Sequence, residues 1–261
     1  MSEPRFVSLE RDERIALVTL RRPEALNAIS GAVADELAGV FGSVARDEDV
    51  WVVVVTASGE RAFCVGADLK ERASFSRADF HGNRGQIRSM FAALRAVPQP
   101  TIASIFGFAF GGGFELALTC DIVLAADDLE VGLTETRVGL VPAGGGTQLL
   151  ARRVGPSRAK ELVFTGRRLG AQEAAELGLV ERIVPRADLD AATKSLARDI
   201  CASSPVAVRA AKAAIDESWG RPLEDGMAVE HGEWSIVVES ADRAEGIAAF
   251  NAKRDARWSN R

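Results

Sequence analysis

The stretch GFAFGGGFE, residues 107–115, follows the apolar run Thr101 to Phe106 and leads into a second one, Phe114 to Cys120. The first run reads as a buried strand and the second as a helix. Three consecutive glycines, Gly111 to Gly113, stand at the junction. Glycine loses the most backbone entropy on ordering, so a triplet here needs a reason. The reason it suggests is close approach of a ligand to bare N–H groups at a helix N-terminus. Glu115 then puts a carboxylate in the first helical turn. Taken alone, such an acid is explained by the helix macrodipole. The glycines before it and Leu116-Ala117-Leu118 after it imply burial, which raises a carboxylate's pKa and suits it to proton transfer. Donors facing a ligand with an acid beside them is the layout of an acyl-group active site.

Outward from this junction, the pattern is α/β. Trp51 to Thr56 (WVVVVT) reads as a strand buried on both faces. Phe6 to Leu9 and Ile15 to Leu20 read as strands around the turn Arg11 to Arg14, and Ile122 to Ala125 and Leu129 to Leu133 as two more. Ser30 can cap a helix over Ala32 to Arg46, and Asp68 a short one after it. Helices are expected at Gln148 to Arg153, Ser157 to Phe164 and Ala171 to Leu177, then a strand at Leu179 to Val184. Strand, glycine-rich loop and helix recur near residues 15, 51 and 101, as in stacked turns of a spiral. From Leu189 the pattern is helical, broken near Pro205 and Pro222, with a last helix Arg243 to Lys253 capped by Ser240 or Asp242. The chain thus divides into a core, residues 1–188, and a helical region, residues 189–261. Apolar Ile215, Trp219, Trp234, Ile236, Val237 and Phe250 in that region need a partner surface, either the core or another subunit.

Composition narrows the function. A net charge of −5 argues against a nucleic-acid or anionic-membrane partner. No apolar run is long enough to span a membrane, and the first residues lack the core of a secretory signal. Three cysteines without paired spacing fit a reducing, cytoplasmic setting. Two distant histidines, His81 and His231, and no HExxH or CxxC give no metal motif. Residues 143–147 (AGGGT) lack the lysine of a phosphate loop, and residues 107–114 fail the dinucleotide fingerprint. Cys64 and Cys120 read as packing residues. Glu135 has two equal readings: a second acid aimed at the substrate, or a surface acid paired with Arg137. Gly66-Ala67-Asp68 also has two readings: a turn that leaves the Ala67 N–H free for a ligand, or, the one favoured by these residues alone, a tight turn with an Asp helix cap.

The chain resembles the enoyl-CoA hydratase/isomerase, or crotonase, family almost end to end. The resemblance is carried by residues 22–28 (RPEALNA), 62–70 (AFCVGADLK), 107–121, 139–148 (GLVPAGGGTQ), 165–167 (TGR) and 178–180 (GLV). It extends to residues 243–250 (RAEGIAAF) with Lys253-Arg254. It implies a spiral of strand-strand-helix units with a C-terminal helical trimerisation region, and trimers that pair into hexamers. It implies an acyl-CoA thioester substrate, with CoA as the substrate's handle and no separate cofactor. The oxyanion hole it implies is the N–H pair of Ala67 and Gly112. Both acids of the hydratase branch are present, as Glu115 and Glu135, whereas isomerases, hydrolases and dehalogenases of this fold commonly keep one. Substrate contacts are expected at Ala25, Asn27, Gly66, Asp68, Leu69, Lys70, Gly111 and Lys253. Residues 132–136 and 159–168 look most like methylglutaconyl-CoA and short-chain enoyl-CoA hydratases, which points to β-oxidation or amino-acid catabolism. One such relative binds RNA through a lysine-rich helix. The matching helix here has no lysine and carries Asp35 and Glu36, so RNA binding is not expected. Cys64-Val65, Phe108, Phe110 and Ala143 depart from the usual family pattern, which bears on acyl-chain preference.

Overall fold

The VVVV run lies at the centre of a six-stranded sheet in the structure, a computed structural model that describes residues 6–261. The reading of the chain's first residues lies partly outside that range. The sheet consists of β1 (Val7–Asp12), β2 (Ile15–Leu20), β3 (Val52–Ala57), β5 (Thr101–Ile105), β7 (Ile122–Ala126) and β10 (Arg182–Val184), in that spatial order. β1 and β2 form an antiparallel hairpin and the remaining pairs are parallel. The continuous apolar run of β3 follows from burial on both faces. Val53 and Val55 join the main core with Val18 and Phe41, while Val52 and Val54 face a second layer with Leu189 and Ala197.

A smaller sheet holds β4 (Ala62–Cys64), β6 (Phe108–Phe110), β8 (Glu130–Gly132) and β9 (Leu169–Gly170). β3/β4, β5/β6 and β7/β8 each give one strand to each sheet, so successive chain segments stack as turns of a spiral. The corner between β5 and β6 requires Gly107. Its φ is +52°, and a Cβ there would stand 2.2 Å from the Arg61 carbonyl oxygen.

Ser30 caps α1 (Gly31–Val44), accepting from the Val33 N–H at 3.3 Å. Asp68 caps the short α2 (Leu69–Arg72). The sequence reading missed α3 (Arg77–Arg95), which packs against α1. Its first half is polar and holds Gly82 and Gly85, which weakens the helical signal. Its second half buries Ile87, Met90, Phe91 and Leu94 on one face, and a capping box from Ser76 to Asp79 starts it. The glycine triplet leads into α4 (Gly112–Thr119). After it come α5 (Gly146–Val154), α6 (Pro156–Thr165) and α7 (Ala171–Glu176).

Two strand expectations change. β1 continues through Arg11 and Asp12, so the hairpin turn is only Glu13-Arg14, with Glu13 at φ +53°. The strand expected at Leu179 to Val184 is only Arg182–Val184. Leu179 and Val180 are buried in the main core before it pairs with β7.

α8 (Leu189–Cys201) covers the second face of the large sheet. α9 (Pro205–Ser218) and α10 (Leu223–Val238) form a hairpin, and α11 (Ala241–Ala252) follows. The buried carboxylate of Asp242 fastens the chain end: it accepts from Ser204 Oγ, Ser259 Oγ and the N–H groups of Ser259 and Asn260. These three helices leave Trp219, Trp234 and Phe250 at 63%, 58% and 83% exposure, too much apolar area for a solvated surface. No helix among the described residues is long and apolar enough to cross a membrane.

Candidate active site

The three glycines of the triplet do three different things. Gly111 takes a backbone conformation closed to other residues, with φ +51°. A Cβ on Gly113 would stand 2.0 Å from the Cys64 carbonyl oxygen, so this glycine lets α4 pack on β4. A Cβ on Gly112 would clash with nothing. It would make only ordinary contacts, 3.6 Å from Gly66 Cα, 3.8 Å from the Ala67 nitrogen and 3.8 Å from Glu115 Oε2.

Ala67 is presented by a short bridge. The Ile29 N–H donates to the Gly66 carbonyl at 2.7 Å, and the Asp68 N–H to the Ile29 carbonyl at 3.0 Å. Gly66, at φ +87°, makes the turn between β4 and that bridge. The Ala67 N–H between them has no acceptor among the described residues, and neither has the Gly112 N–H at the start of α4. Asp68 locks the turn, accepting from the N–H groups of Lys70 and Glu71 and from Arg22 Nη1 at 2.5 Å. Burial pushes the Asp68 carboxyl up, but Arg22 and the two N–H groups together hold it below the usual range.

Glu115 is 3% exposed. Its Oε1 accepts from the N–H groups of Gly144 and Gly146, each at 2.7 Å. Those bonds consume one oxygen and leave Oε2 on the Gly112 side. Burial raises the carboxyl's pKa, and the N–H groups of the 144–146 loop partly counter it. Residues 143–147, which failed as a phosphate loop, thus hold an acid instead. Side chains at Gly144 and Gly146 would meet Phe91, Leu133 and the carboxylate itself.

Glu135 begins a 3-10 turn, Glu135–Val138, just after β8. It does not pair with Arg137, whose Nε donates to the Thr165 carbonyl at 2.9 Å. Its buried Oε2 has no hydrogen-bond partner among the described residues. Burial, and secondly the charge of Glu115, push the carboxyl up to about 7.

These groups line one cavity of ≈ 330 Å³. Of the residues expected from sequence, it brings together Ala67, Leu69, Gly111, Gly112, Glu115 and Glu135. The others lie outside its wall. Gly66 and Asp68 shape the turn behind Ala67. Asn27, buried at φ +55°, accepts from the Arg22 N–H and donates to the carbonyls of Ser58 and Ala62, so its side chain ties loops together. Ala25 ends the 3-10 turn Pro23–Ala25, Lys70 is exposed on α2, and Lys253 is exposed at the end of α11. The sequence reading missed Arg72 from α2, and Arg84, Ile87 and Phe91 from α3, all on the cavity wall. The apolar spacing of Ile87 and Phe91 was the available signal. Cys64 and Cys120 are buried, and burial pushes each thiol up to about 12, so neither is a nucleophile near neutral pH.

The sequence profile of the enoyl-CoA hydratase/isomerase family matches residues 10–261. A putative enoyl-CoA hydratase/isomerase of Bacillus subtilis, YngF, is 42% identical over 94% of this chain and 95% of its own length. The mitochondrial methylglutaconyl-CoA hydratase of Mus musculus is 38% identical over 98% of this chain and 83% of its own. The crystal structure of an enoyl-CoA hydratase from Bacillus anthracis superposes with a TM-score of 0.96 at 39% identity, covering 98% of this chain and 100% of that one. With the spiral of paired strands, the acid-flanked cavity and these matches in hand, the chain belongs to the enoyl-CoA hydratase/isomerase family.

Proposed function

We propose that the protein hydrates short-chain or branched 2-enoyl-CoA thioesters, with CoA as part of the substrate and no further cofactor. The observation that carries this reading is one cavity holding two acceptor-free N–H groups and two carboxylates, the buried Glu115 and the half-buried Glu135 with its buried Oε2. The N–H groups of Ala67 and Gly112 receive the thioester oxygen. As a water oxygen bonds to C3, the π electrons shift toward the carbonyl, and that oxygen gains negative charge. Preorganised donors in a dry site stabilise this charge by about 3–4 kcal/mol each. The N-terminus of α4 adds its dipole in the same direction.

Glu115 and Glu135 act on one water. One carboxylate takes the proton that the water loses, and the other, protonated, delivers a proton to C2. The reaction needs the pair to carry one proton. Both carboxyls are raised, Glu135 partly by the charge of Glu115, which favours that state and lets the pair titrate as a coupled system.

The exposed apolar surface of α9 to α11 supports a trimer built through these helices, with pairing of trimers into a hexamer as its extension. Relatives named as hydratases support a role in β-oxidation or amino-acid catabolism. The test is a panel of straight and branched enoyl-CoA substrates, with the absorbance of the conjugated thioester followed in time. Loss of that absorbance with enzyme is expected. No turnover on any member would refute the hydratase reading.

A further inference from the structure

The wall of the same cavity carries two cations that the hydration chemistry does not use. Helix α3 contributes Arg84 and α2 contributes Arg72, both partly buried. Arg72 donates Nε and Nη2 to the buried Oδ1 of Asn83, at 3.1 and 2.9 Å. Its neighbour Glu71 turns its carboxylate to the Gly31 N–H at 3.1–3.3 Å. Arg84 makes no side-chain hydrogen bond and no ion pair among the described residues. Several arginines elsewhere are paired, such as Arg22 with Asp68, Arg153 with Glu181 and Arg167 with Glu161 and Glu173; what sets Arg84 apart is its place on the cavity wall.

A partly desolvated guanidinium with five donors and no acceptor is a ready partner for an anion, and its planar fork matches a carboxylate. The charge of Arg84 reaches into the site: burial lowers the Arg72 pKa first and Arg84 lowers it further, and Arg84 also opposes the rise at Glu115. A cavity of ≈ 330 Å³ is near the lower limit of ligand pockets. It takes a short acyl group and leaves the nucleotide of CoA, with its phosphates, outside.

We propose that Arg84 receives a terminal carboxylate on the acyl group, so that the favoured substrates are short dicarboxylic 2-enoyl-CoA thioesters of the glutaconyl type. The inference rests on the acyl-CoA reading of the site. The fixed acids Glu115 and Glu135 would repel such a substrate, and Arg84 on the same wall offsets that repulsion. The carboxylate also gives the site an anchor beyond the thioester, fixing C2 and C3 between the two acids.

The test uses unreactive saturated analogues, glutaryl-CoA and butyryl-CoA, titrated calorimetrically into the intact protein. Wild type is expected to bind glutaryl-CoA at least about tenfold tighter, the value of one charge-assisted bond. In R84L the ratio should fall close to one, and R84K should keep part of it. Equal affinity of wild type for both analogues overturns the proposal, as does a ratio that survives in R84L. Equal weakening of both analogues in R84L also overturns it, because Arg84 would then serve a CoA phosphate. If R84L does not fold, R84Q, which is polar but shorter and uncharged, is read the same way. The analogues need no turnover, so failure here is separate from failure of crotonyl-CoA hydration, which tests the reaction itself.

Discussion

Glu115 and Glu135 approach one cavity from different elements, and the charge of Glu115 is the second cause, after burial, that pushes Glu135 up to about 7. Oε1 of Glu115 is held by two N–H groups, while Oε2 of Glu135 has no hydrogen-bond partner among the described residues. One acid is thus held by two backbone N–H groups and the other has an oxygen without a protein partner, an asymmetry that favours the charged form at Glu115 more than at Glu135.

Glu115→Gln and Glu135→Gln are each expected to lower kcat by at least ~100-fold, as removal of a general acid or base does. In Glu115→Gln the amide oxygen can still accept from the N–H groups of Gly144 and Gly146, so the fold should persist, which circular dichroism checks. Full hydratase rate in Glu135→Gln would make that residue structural and favour a one-acid reaction.

The Glu135 shift also has a stability sign. Its folded pKa of about 7 lies above the ordinary 4.5, so the folded state prefers the protonated form. Its contribution to stability is intact below pH 4.5 and is lost as pH rises through 7. At 1.36 kcal/mol per unit, Glu135→Gln should gain up to about 3 kcal/mol over wild type above pH 7. The difference in Tm between the two proteins should be small at about pH 5 and widen to about pH 8. A constant difference across that range would contradict the burial of an ionisable Glu135.

Gly112 and Gly113 should separate function from folding. Gly112→Val meets ordinary contacts only, but fills the space before the Ala67 N–H and Glu115 Oε2. Its kcat/KM is expected to fall at least ~100-fold, with weakened acyl-CoA binding and near-native circular dichroism. Unchanged turnover would mean that the thioester oxygen sits elsewhere.

Gly113→Ala drives a methyl against the Cys64 carbonyl, a contact that cannot relax without moving α4 from β4. A loss of at least about 3 kcal/mol is expected, measured by denaturant unfolding. Retained stability would show that α4 is free to shift.

Light scattering of the intact chain should return a mass that is a multiple of three subunits at micromolar concentration. The exposed apolar surface that motivates this expectation includes Trp219, Trp234 and Phe250. A monomer or dimer would mean that this apolar face meets something other than copies of the chain.

The spiral and the Glu115 side of the cavity were legible in the chain's local patterns. β3 was legible because a strand buried on both faces has no alternation to disguise it. Ser30 and Asp68 announced their helices because a cap is a local interaction. The 107–115 stretch located Glu115 and Gly112 because glycines, strand and acid all lie within one turn of chain. Glu135 stayed evenly balanced, since whether it meets Arg137 or the cavity depends on where β8 ends and on where Arg137 finds the Thr165 carbonyl. Only the tertiary structure assigned the 144–146 loop to Glu115, because those N–H donors lie some 30 residues from the acid they bind. Only it brought Arg84 and Phe91 to the cavity, since the polar, glycine-containing start of α3 hides a helix whose stability comes from packing on α1. Local signals travel with the sequence. Partners chosen by packing exist only once the chain has closed on itself.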